Sequence, residues 1–306
     1  MQVMRHPQLN TNPQGCVATI GNFDGLHRGH QTVFRHVRAQ AAYFNMPATV
    51  ISFEPLPIEF FRHPPPARIY ALRDKLRLLS DLHIQQFACL RFDHALAAME
   101  AEQFVQQILL DALNVRYLVV GDDFRFGKGR RGDLQLLQTM GAAAGMQVVD
   151  TPTVCHAEQR VSSTRIRLAL STAELSLAAE LLGRAYAISG RVRHGDKRGR
   201  SIGFPTLNLR VPQHVALRKG VYAVKVMGLA EQPLNAVANL GVRPTVHGLE
   251  NRLEVHVFDF QQSVYGQHIQ VEPIQFLRDE MKFASFDELK KQIQTDALIA
   301  RQLLQA

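Results

Sequence analysis

Partway along this chain the hydrophobic pattern changes kind, and that change limits the possible fold more than any single residue does. Up to Gly183, short apolar runs alternate with helical stretches. Residues 15–21, 47–53, 86–92, 115–121 and 146–151 read as strands. Their apolar content is nearly continuous, as in strands buried on both faces. The stretches between them, 29–45, 72–83, 101–113 and 133–145, carry good helix formers at helical spacing. This alternation predicts a parallel sheet with right-handed crossovers, a doubly wound α/β domain closed by helices near 163–171 and 173–182. From Tyr186 onward the helices stop. Strand-like runs at 186–194, 204–211, 220–228, 234–241, 252–260 and 268–277 follow one another across glycine and proline turns. A compact six-stranded antiparallel barrel is expected there, covered by one amphipathic helix from about Ser285 to Leu304. A length of 306 residues suits two domains, placed at 1–183 and 184–306.

Composition narrows the function classes. Hydrophobic residues make up 46% and charged residues 20%, the balance of an ordinary globular protein. No apolar run approaches the ~20 residues needed to cross a bilayer. Residues Met1 to Pro7 lack the apolar core of a signal peptide, so a cytoplasmic protein with no membrane partner is expected. Cys16, Cys89 and Cys155 are far apart, odd in number and form no Cys-x-x-Cys pair. Neither a disulfide framework nor a zinc site is indicated, and each cysteine reads as a small buried apolar residue. The net charge of +8 attracts polyanions without saying which. Its two dense clusters, Lys128-Gly129-Arg130-Arg131 and His194 to Arg200, alternate cations with glycine. A DNA-binding helix avoids glycine, so both read as phosphate-facing loops, with simple solvated charge as the alternative. An RNA-binding face would need stacking aromatics, yet Trp is absent and the basic residues sit in glycine loops. No nucleic-acid partner is expected, and nothing indicates an oligomer.

The first strand runs into Gly21-Asn22-Phe23-Asp24-Gly25-Leu26-His27-Arg28-Gly29-His30, and a helix follows. Small residues let the backbone approach a ligand, and a helix N-terminus offers free N–H groups and a positive dipole end. His27 and His30, three apart, project from this turn and suit a triphosphate on which charge builds at the α-phosphate. The bland alternative is that they cap the helix. Further on, Val161-Ser162-Ser163-Thr164-Arg165-Ile166-Arg167 opens another helix. Its hydroxyls can cap the helix and bind phosphate, and Arg165 and Arg167 can neutralise a departing pyrophosphate. The first stretch resembles the motif of nucleotidyltransferases, the superfamily that includes class I aminoacyl-tRNA synthetases. Gly121-Asp122-Asp123-Phe124-Arg125-Phe126-Gly127 is similar to a signature of bacterial FAD synthetases. That resemblance implies ATP contacts from Gly21, Asn22, Phe23, Asp24, Gly25, Asp123, Ser163, Thr164, Arg165 and Arg167, with Asp123 on the ribose or base. A plain strand-end turn is the other reading of Asp123. Phe53 and Pro55, in Phe53-Glu54-Pro55-Leu56-Pro57, match the family segment that shapes the flavin pocket, although such a stretch also makes a stiff loop.

A second constellation opens the barrel. Gly190 to Arg200 is glycine-rich and basic, and Ile202-Gly203-Phe204-Pro205-Thr206-Leu207-Asn208 follows it. Thr206 and Asn208, two apart on a strand, face one side and could share a Mg²⁺ bound to ATP phosphates. Taken alone they are ordinary strand residues. In Leu253-Glu254-Val255-His256-Val257, alternation puts Glu254 and His256 on one face. The stretch around Thr206 resembles riboflavin kinases, whose hallmark is Gly-Phe-Pro-Thr-Ala-Asn, with Leu207 here in place of the alanine. Asn239-Leu240-Gly241-Val242-Arg243-Pro244-Thr245 and Phe276-Leu277-Arg278-Asp279-Glu280-Met281-Lys282-Phe283 match two further family segments. The resemblance implies Glu254 as the base, ATP contacts from Gly195, Lys197, Gly203, Thr206 and Asn208, the metal on Thr206 and Asn208, and flavin contacts from Arg278 and Phe283.

The likeness to bacterial bifunctional riboflavin kinase/FAD synthetases covers almost the whole chain. It implies an α/β protein with an N-terminal Rossmann-like nucleotidyltransferase domain and a C-terminal riboflavin-kinase-like barrel. The reactions implied are riboflavin plus ATP to FMN, then FMN plus ATP to FAD and pyrophosphate, with Mg²⁺ in both. The partners expected are small molecules only. The competing expectation is that one domain alone is active and the other has become a regulatory flavin- or nucleotide-binding module.

Overall fold

The computed structural model describes residues 1–5, 12–194, 204–212, 214–245 and 248–305. Gly195, Lys197 and Gly203, with the basic cluster after His194, lie outside the described residues. The chain divides into two compact units, Met1–Pro66 with Lys75–Ser163, and Ala67–Asp74 with Thr164–Ala306.

The first unit is built on β1 (Gln2–Arg5), β2 (Cys16–Ile20), β3 (Ala48–Glu54), β4 (Gln86–Arg91), β5 (Val115–Gly121) and β6 (Gln147–Thr151). They form one sheet in the order β1-β4-β3-β2-β5-β6, and every neighbouring pair is parallel. All five residues of β2 are buried, as its nearly continuous apolar run predicts for a central strand. The connections carry α1 (Arg28–Tyr43), α2 (Pro57–Phe61), α3 (Leu72–Asp81), α4 (His94–Ala98), α5 (Ala101–Gln103), which continues as a π-helix over Phe104–Ala112, and α6 (Leu134–Ala143). Asp93 and Asp133 cap α4 and α6, accepting from Leu96 N at 3.1 Å and Leu136 N at 3.0 Å. Ile20, Ile51, Leu118, Val120, Phe104 and Leu109 belong to the core that joins the sheet to this helical layer.

Three elements here go beyond the sequence reading. β1 buries only Met4 and shows no period of its own. The Pro-rich stretch after β3 turns into α2 because Pro57 occupies the first helical position, where its missing N–H leaves nothing unsatisfied. A small hairpin, β7 (Cys155–His156) and β8 (Gln159–Arg160), follows β6. Cys155 lies exposed on that hairpin. The expectation of a buried thiol therefore holds for Cys16 and Cys89 and fails for Cys155, because a two-residue strand has too little surface to cover it.

The second unit contains α7 (Ser163–Ser171), which starts at the division, and α8 (Leu175–Leu182), which ends on Gly183 in the left-handed region at φ 71°. Then come β9 (Ile188–Arg191), β10 (Leu207–Arg210), β11 (Gly220–Met227), β12 (Leu234–Thr245), β13 (Gly248–Val257) and β14 (His268–Arg278). Their order is β10-β13-β12-β11-β14-β9, antiparallel throughout. Arg193 N donates to Asn208 O at 2.8 Å, which brings the chain beyond β9 to β10 and nearly closes the barrel. The last helix, α9 (Phe286–Gln305), sets Ala297 and Ala300 against Val221, Ala223 and Val237.

Candidate active sites

In the first sheet the chain runs outward from β2 through β3 to β4, then returns to β5 on the other side of β2. The carboxyl ends of β2 and β5 therefore flank a topological switch point, where open α/β sheets bind their ligands. Gly21 to Gly25 leave β2 there, and Gly121 to Asp123 end β5. The turn after β2 places Phe23, Gly25 and Leu26 in the left-handed region, at φ 44°, 89° and 46°. Only glycine adopts this without cost, so burial of Phe23 and Leu26 must hold the turn in place. The Phe23 ring meets Phe34 at 5.0 Å and the His30 edge at 5.1 Å.

His27 is the N-cap of α1, its Nδ1 accepting from His30 N at 3.4 Å. Its ring stacks on His30 at 3.6 Å with 18° between the planes. Capping is thus real, and it also holds both imidazoles face to face at the helix start. The first turn of α1 carries no acidic residue, so no carboxylate of its own cancels the positive dipole end. Ser163 Oγ donates to Asp24 O at 2.7 Å, which joins two motifs 139 residues apart. Thr164, Arg165 and Arg167 continue along α7 in the second unit, where Arg167 Nε donates to Ala67 O at 2.7 Å.

Two side chains that hold this turn were missed from sequence. Buried Lys75 donates from Nζ to Asn22 O at 2.8 Å, and Ser52 Oγ donates to the same oxygen at 3.3 Å. Lys75 carried a signal, since it stands three and four residues before buried Leu78 and Leu79 on the same helix. Asp123 is held by Arg160 of β8 at 2.8 Å, and that guanidinium keeps its carboxyl below the usual range. Thr153 Oγ1 donates to Asp122 Oδ2 at 3.0 Å. Beyond them Phe124 and Phe126 stack at 5.5 Å, and Gly127, at φ 71°, leaves no room for a Cβ beside the Ala101 backbone. In the basic cluster Lys128 pairs with Glu100 at 3.0 Å, while Arg130 and Arg131 are exposed. Phe53 stands at the end of β3, edge-on to Phe92 at 5.7 Å, and Phe60 and Phe61 of α2 complete an aromatic corner just beyond Pro55.

A cavity of about 510 Å³ is lined by barrel strands and by Phe286, Leu289, Ile293 and Asp296 of α9. Strand register orders its wall. Asn208 of β10 lies opposite Glu254 of β13, which lies opposite Asn239 of β12; Val221 of β11 and Arg278 of β14 continue the row. Asn208 Nδ2 donates to Thr206 O at 3.2 Å, and its buried Oδ1 has no hydrogen-bond partner among the described residues. Glu254 is partly exposed, with Arg252 NH1 at 3.9 Å. His256 shares the face of Glu254, as alternation predicted, and both line the cavity. Its Nδ1 lies 2.9 Å from Pro205 O; a carbonyl only accepts, so this nitrogen carries the proton. Burial lowers the pKa of His256. At the far end Arg278 is clamped by buried Asp296 of α9, with Nε at 2.9 and 3.1 Å and NH2 at 2.7 Å. Its guanidinium also lies 5.9 Å over the Phe283 ring. Asn239, Arg252 and Asp296 belong to this wall, and their pairings depend on register and on α9.

Comparison with known proteins matches the same two regions. Residues 9–165 match the FAD synthetase family and residues 182–304 the riboflavin kinase family. A bifunctional riboflavin kinase/FMN adenylyltransferase of Escherichia coli strain K12 is 49% identical over 296 residues, covering 96% of this chain and 95% of that protein. The protein of the same name from Haemophilus influenzae is 47% identical, covering 94% of each. This chain belongs to the bifunctional riboflavin kinase/FMN adenylyltransferase family. A crystal structure described as a macrolide-efflux protein from Streptococcus pneumoniae is also similar, 31% identical over 98% of this chain and 99% of that one, with a TM-score of 0.82. Among the described residues no helix is long and apolar enough to cross a membrane. The family's adenylyltransferase half thus holds the switch-point turn of β2, and its kinase half holds the barrel cavity. Among the described residues no group of three His, Cys, Asp or Glu could hold a metal ion.

Proposed function

We propose that this chain phosphorylates riboflavin to FMN in residues 184–306 and adenylylates FMN to FAD in residues 1–183, using ATP in both steps. The observation that carries the kinase reading is the row Asn208, Glu254, Asn239, Val221, Arg278 across five neighbouring strands of one cavity. It puts a carboxylate between a polar end and an end rich in aromatic and aliphatic side chains. That is the order needed when a base takes a proton from one substrate while the other delivers a phosphoryl group. Glu254 accepts the proton of the terminal ribityl hydroxyl. The freed oxygen attacks the γ-phosphorus, and the bond to the bridging oxygen breaks to release ADP.

The donor set at the polar end fits Mg²⁺. Asn208 Oδ1 is a buried oxygen with no partner among the described residues, and Thr206 supplies a hydroxyl two residues away. Thr206 and Asn208 would hold the ion, which would neutralise phosphate charge. Gly195, Lys197 and Gly203, outside the described residues, would contact the ATP phosphates. Phe283 would cover the isoalloxazine ring, and Arg278 would meet its polar edge from the place where Asp296 holds it.

For the adenylyltransferase step, a phosphate oxygen of FMN attacks the α-phosphorus of ATP, and pyrophosphate leaves. His27 and His30 would stabilise charge at the α-phosphate beside the N-terminus of α1. The turn Gly21, Asn22, Phe23, Asp24, Gly25 would carry the triphosphate, held in shape by Lys75, Ser52 and Ser163. Thr164, Arg165 and Arg167 would take the pyrophosphate, and Asp123 the nucleoside. Phe53 and Pro55 would form one wall of the flavin site.

Incubation of the pure protein with riboflavin, ATP and Mg²⁺ tests this reading. FMN and FAD should both appear, with ADP and pyrophosphate as co-products. Glu254→Ala should abolish FMN formation while FAD still forms from supplied FMN. FMN without FAD would leave the kinase as the sole activity, and FMN formation by the Glu254→Ala enzyme would remove the base from Glu254.

A further inference from the structure

We propose that Asn239 binds the polyol chain of the flavin substrate, its Oδ1 accepting a hydrogen bond from the ribityl hydroxyl next to the one that reacts. The inference rests on the kinase reading above and adds a specificity-determining residue to it. Asn239 stands directly opposite Glu254 in the β12–β13 pairing, on the side away from Asn208. Opposed residues of an antiparallel pair lie roughly 4.5–5.5 Å apart and point to the same face, so the amide neighbours the carboxylate inside the cavity it lines.

Asn239 Oδ1 is buried and has no hydrogen-bond partner among the described residues. A buried acceptor left unsatisfied is destabilising, so a donor brought by a bound molecule would be favoured here. The two ends of the row offer different chemistry. Toward β10 stand Thr206 and the equally unpartnered oxygen of Asn208, a pair suited to a cation. Toward β14 the cavity is lined by Val221, Phe283, Phe286 and Leu289, suited to a flat apolar ring. Asn239 lies between Glu254 and that apolar end. ATP phosphates at neutral pH carry no donor. The three carbons of the ribityl chain before the reacting one each carry a hydroxyl, and the hydroxyl nearest the reacting one falls beside the residue nearest the base. Flavins lacking that hydroxyl should therefore be poor substrates.

The test compares riboflavin with the analogue that lacks this one hydroxyl, using the full chain, Asn239→Ala and Asn239→Ser. The wild type should favour riboflavin by about 10–100-fold in kcat/KM, the effect of one unsatisfied buried acceptor. Asn239→Ala should lose a similar factor with riboflavin and little with the analogue. Asn239→Ser, which keeps an oxygen acceptor, should recover part of the loss. The Mg²⁺ requirement and FAD formation from supplied FMN should not change. Equal losses with both flavins, or a shift in the Mg²⁺ requirement, would overturn the proposal; the latter would put the amide on the metal. Equal use of the two flavins by the wild type would overturn it without any variant. Absence of FMN formation by the wild type would instead remove the kinase reading on which it rests.

Discussion

The ion pair between Arg278 and Asp296 gives the most direct measure of how the last helix supports the barrel. Asp296 has 5% of its side chain exposed and accepts three contacts from Arg278, at 2.9, 3.1 and 2.7 Å, and one from Gln292 at 2.9 Å. Asp296→Ala removes the anion and leaves a guanidinium with 19% of its side chain exposed and no carboxylate at its Nε and NH2. Breaking a buried pair by removing one partner typically costs about 3–5 kcal/mol, because the remaining charge stays desolvated. For a unit of roughly 150 residues, 1 kcal/mol moves the thermal midpoint by about 2–4 °C. A fall of about 10 °C in the transition that abolishes riboflavin phosphorylation is therefore expected. Urea unfolding followed by circular dichroism gives the free-energy loss directly. Removing both charges, with Asp296→Ala and Arg278→Met together, should restore much of the stability, since a buried pair is often replaced by apolar groups at little cost. The phosphorylation rate should stay low in the double variant, because the guanidinium proposed to meet the flavin is gone. A loss below about 1 kcal/mol for Asp296→Ala would refute the reasoning, as would a double variant less stable than the single one.

Two more outcomes follow from side chains whose partners are known. Ser163→Ala removes the bond that ties the start of α7 to Asp24 O, so the β2 turn should lose definition. FAD formation from supplied FMN should fall by about 10-fold, with riboflavin phosphorylation unaffected; equal rates would show the tie to be dispensable. His256 titrates below its usual value near 6.5, chiefly because of burial, with Arg301 pushing the same way and the Pro205 carbonyl and Asp259 opposing. Above that value the ring is neutral in both folded and unfolded chains, and its contribution is fully present. As pH falls through 6.5 the unfolded chain takes up the proton first, so stability should decline toward the folded pKa. Denaturant midpoints from pH 8 to 5 should show this fall, and His256→Asn, which keeps an N–H for Pro205 O, should flatten it; identical slopes would rule His256 out as the source.

The parts of this molecule that could be read from the chain are those set by local periodicity. The nearly continuous apolar run of Cys16–Ile20 pointed to a strand covered on both faces, and the structure buries all five residues. The alternation in β13 fixed Glu254 and His256 on one face, and both line the cavity. What escaped was too short to show a period or was fixed by a distant partner. β1, with one buried residue in four, and the two-residue strands of the Cys155 hairpin have almost no pattern to find. Pro57 reads as a helix breaker until its place at the first turn is seen. Lys75 against Asn22 O, Arg160 on Asp123 and Asp296 on Arg278 are joined only by the packing of whole elements. The kinase row shows the limit most clearly. Asn208, Glu254 and Asn239 each sit in a segment that stands out in the chain, but their adjacency depends on two strand pairings. A slip of one residue in β12 would put Ala238 or Leu240 opposite Glu254 and turn the amide away from Glu254 to the opposite face of the strand. Buried Ala236, Ala238 and Leu240 on one face, and Val237 and Asn239 on the other, resist that slip, because it would exchange all of them at once. The polar row is thus held in place by the apolar residues that alternate with it. Substitutions among those apolar residues should therefore disturb phosphoryl transfer without touching a substrate.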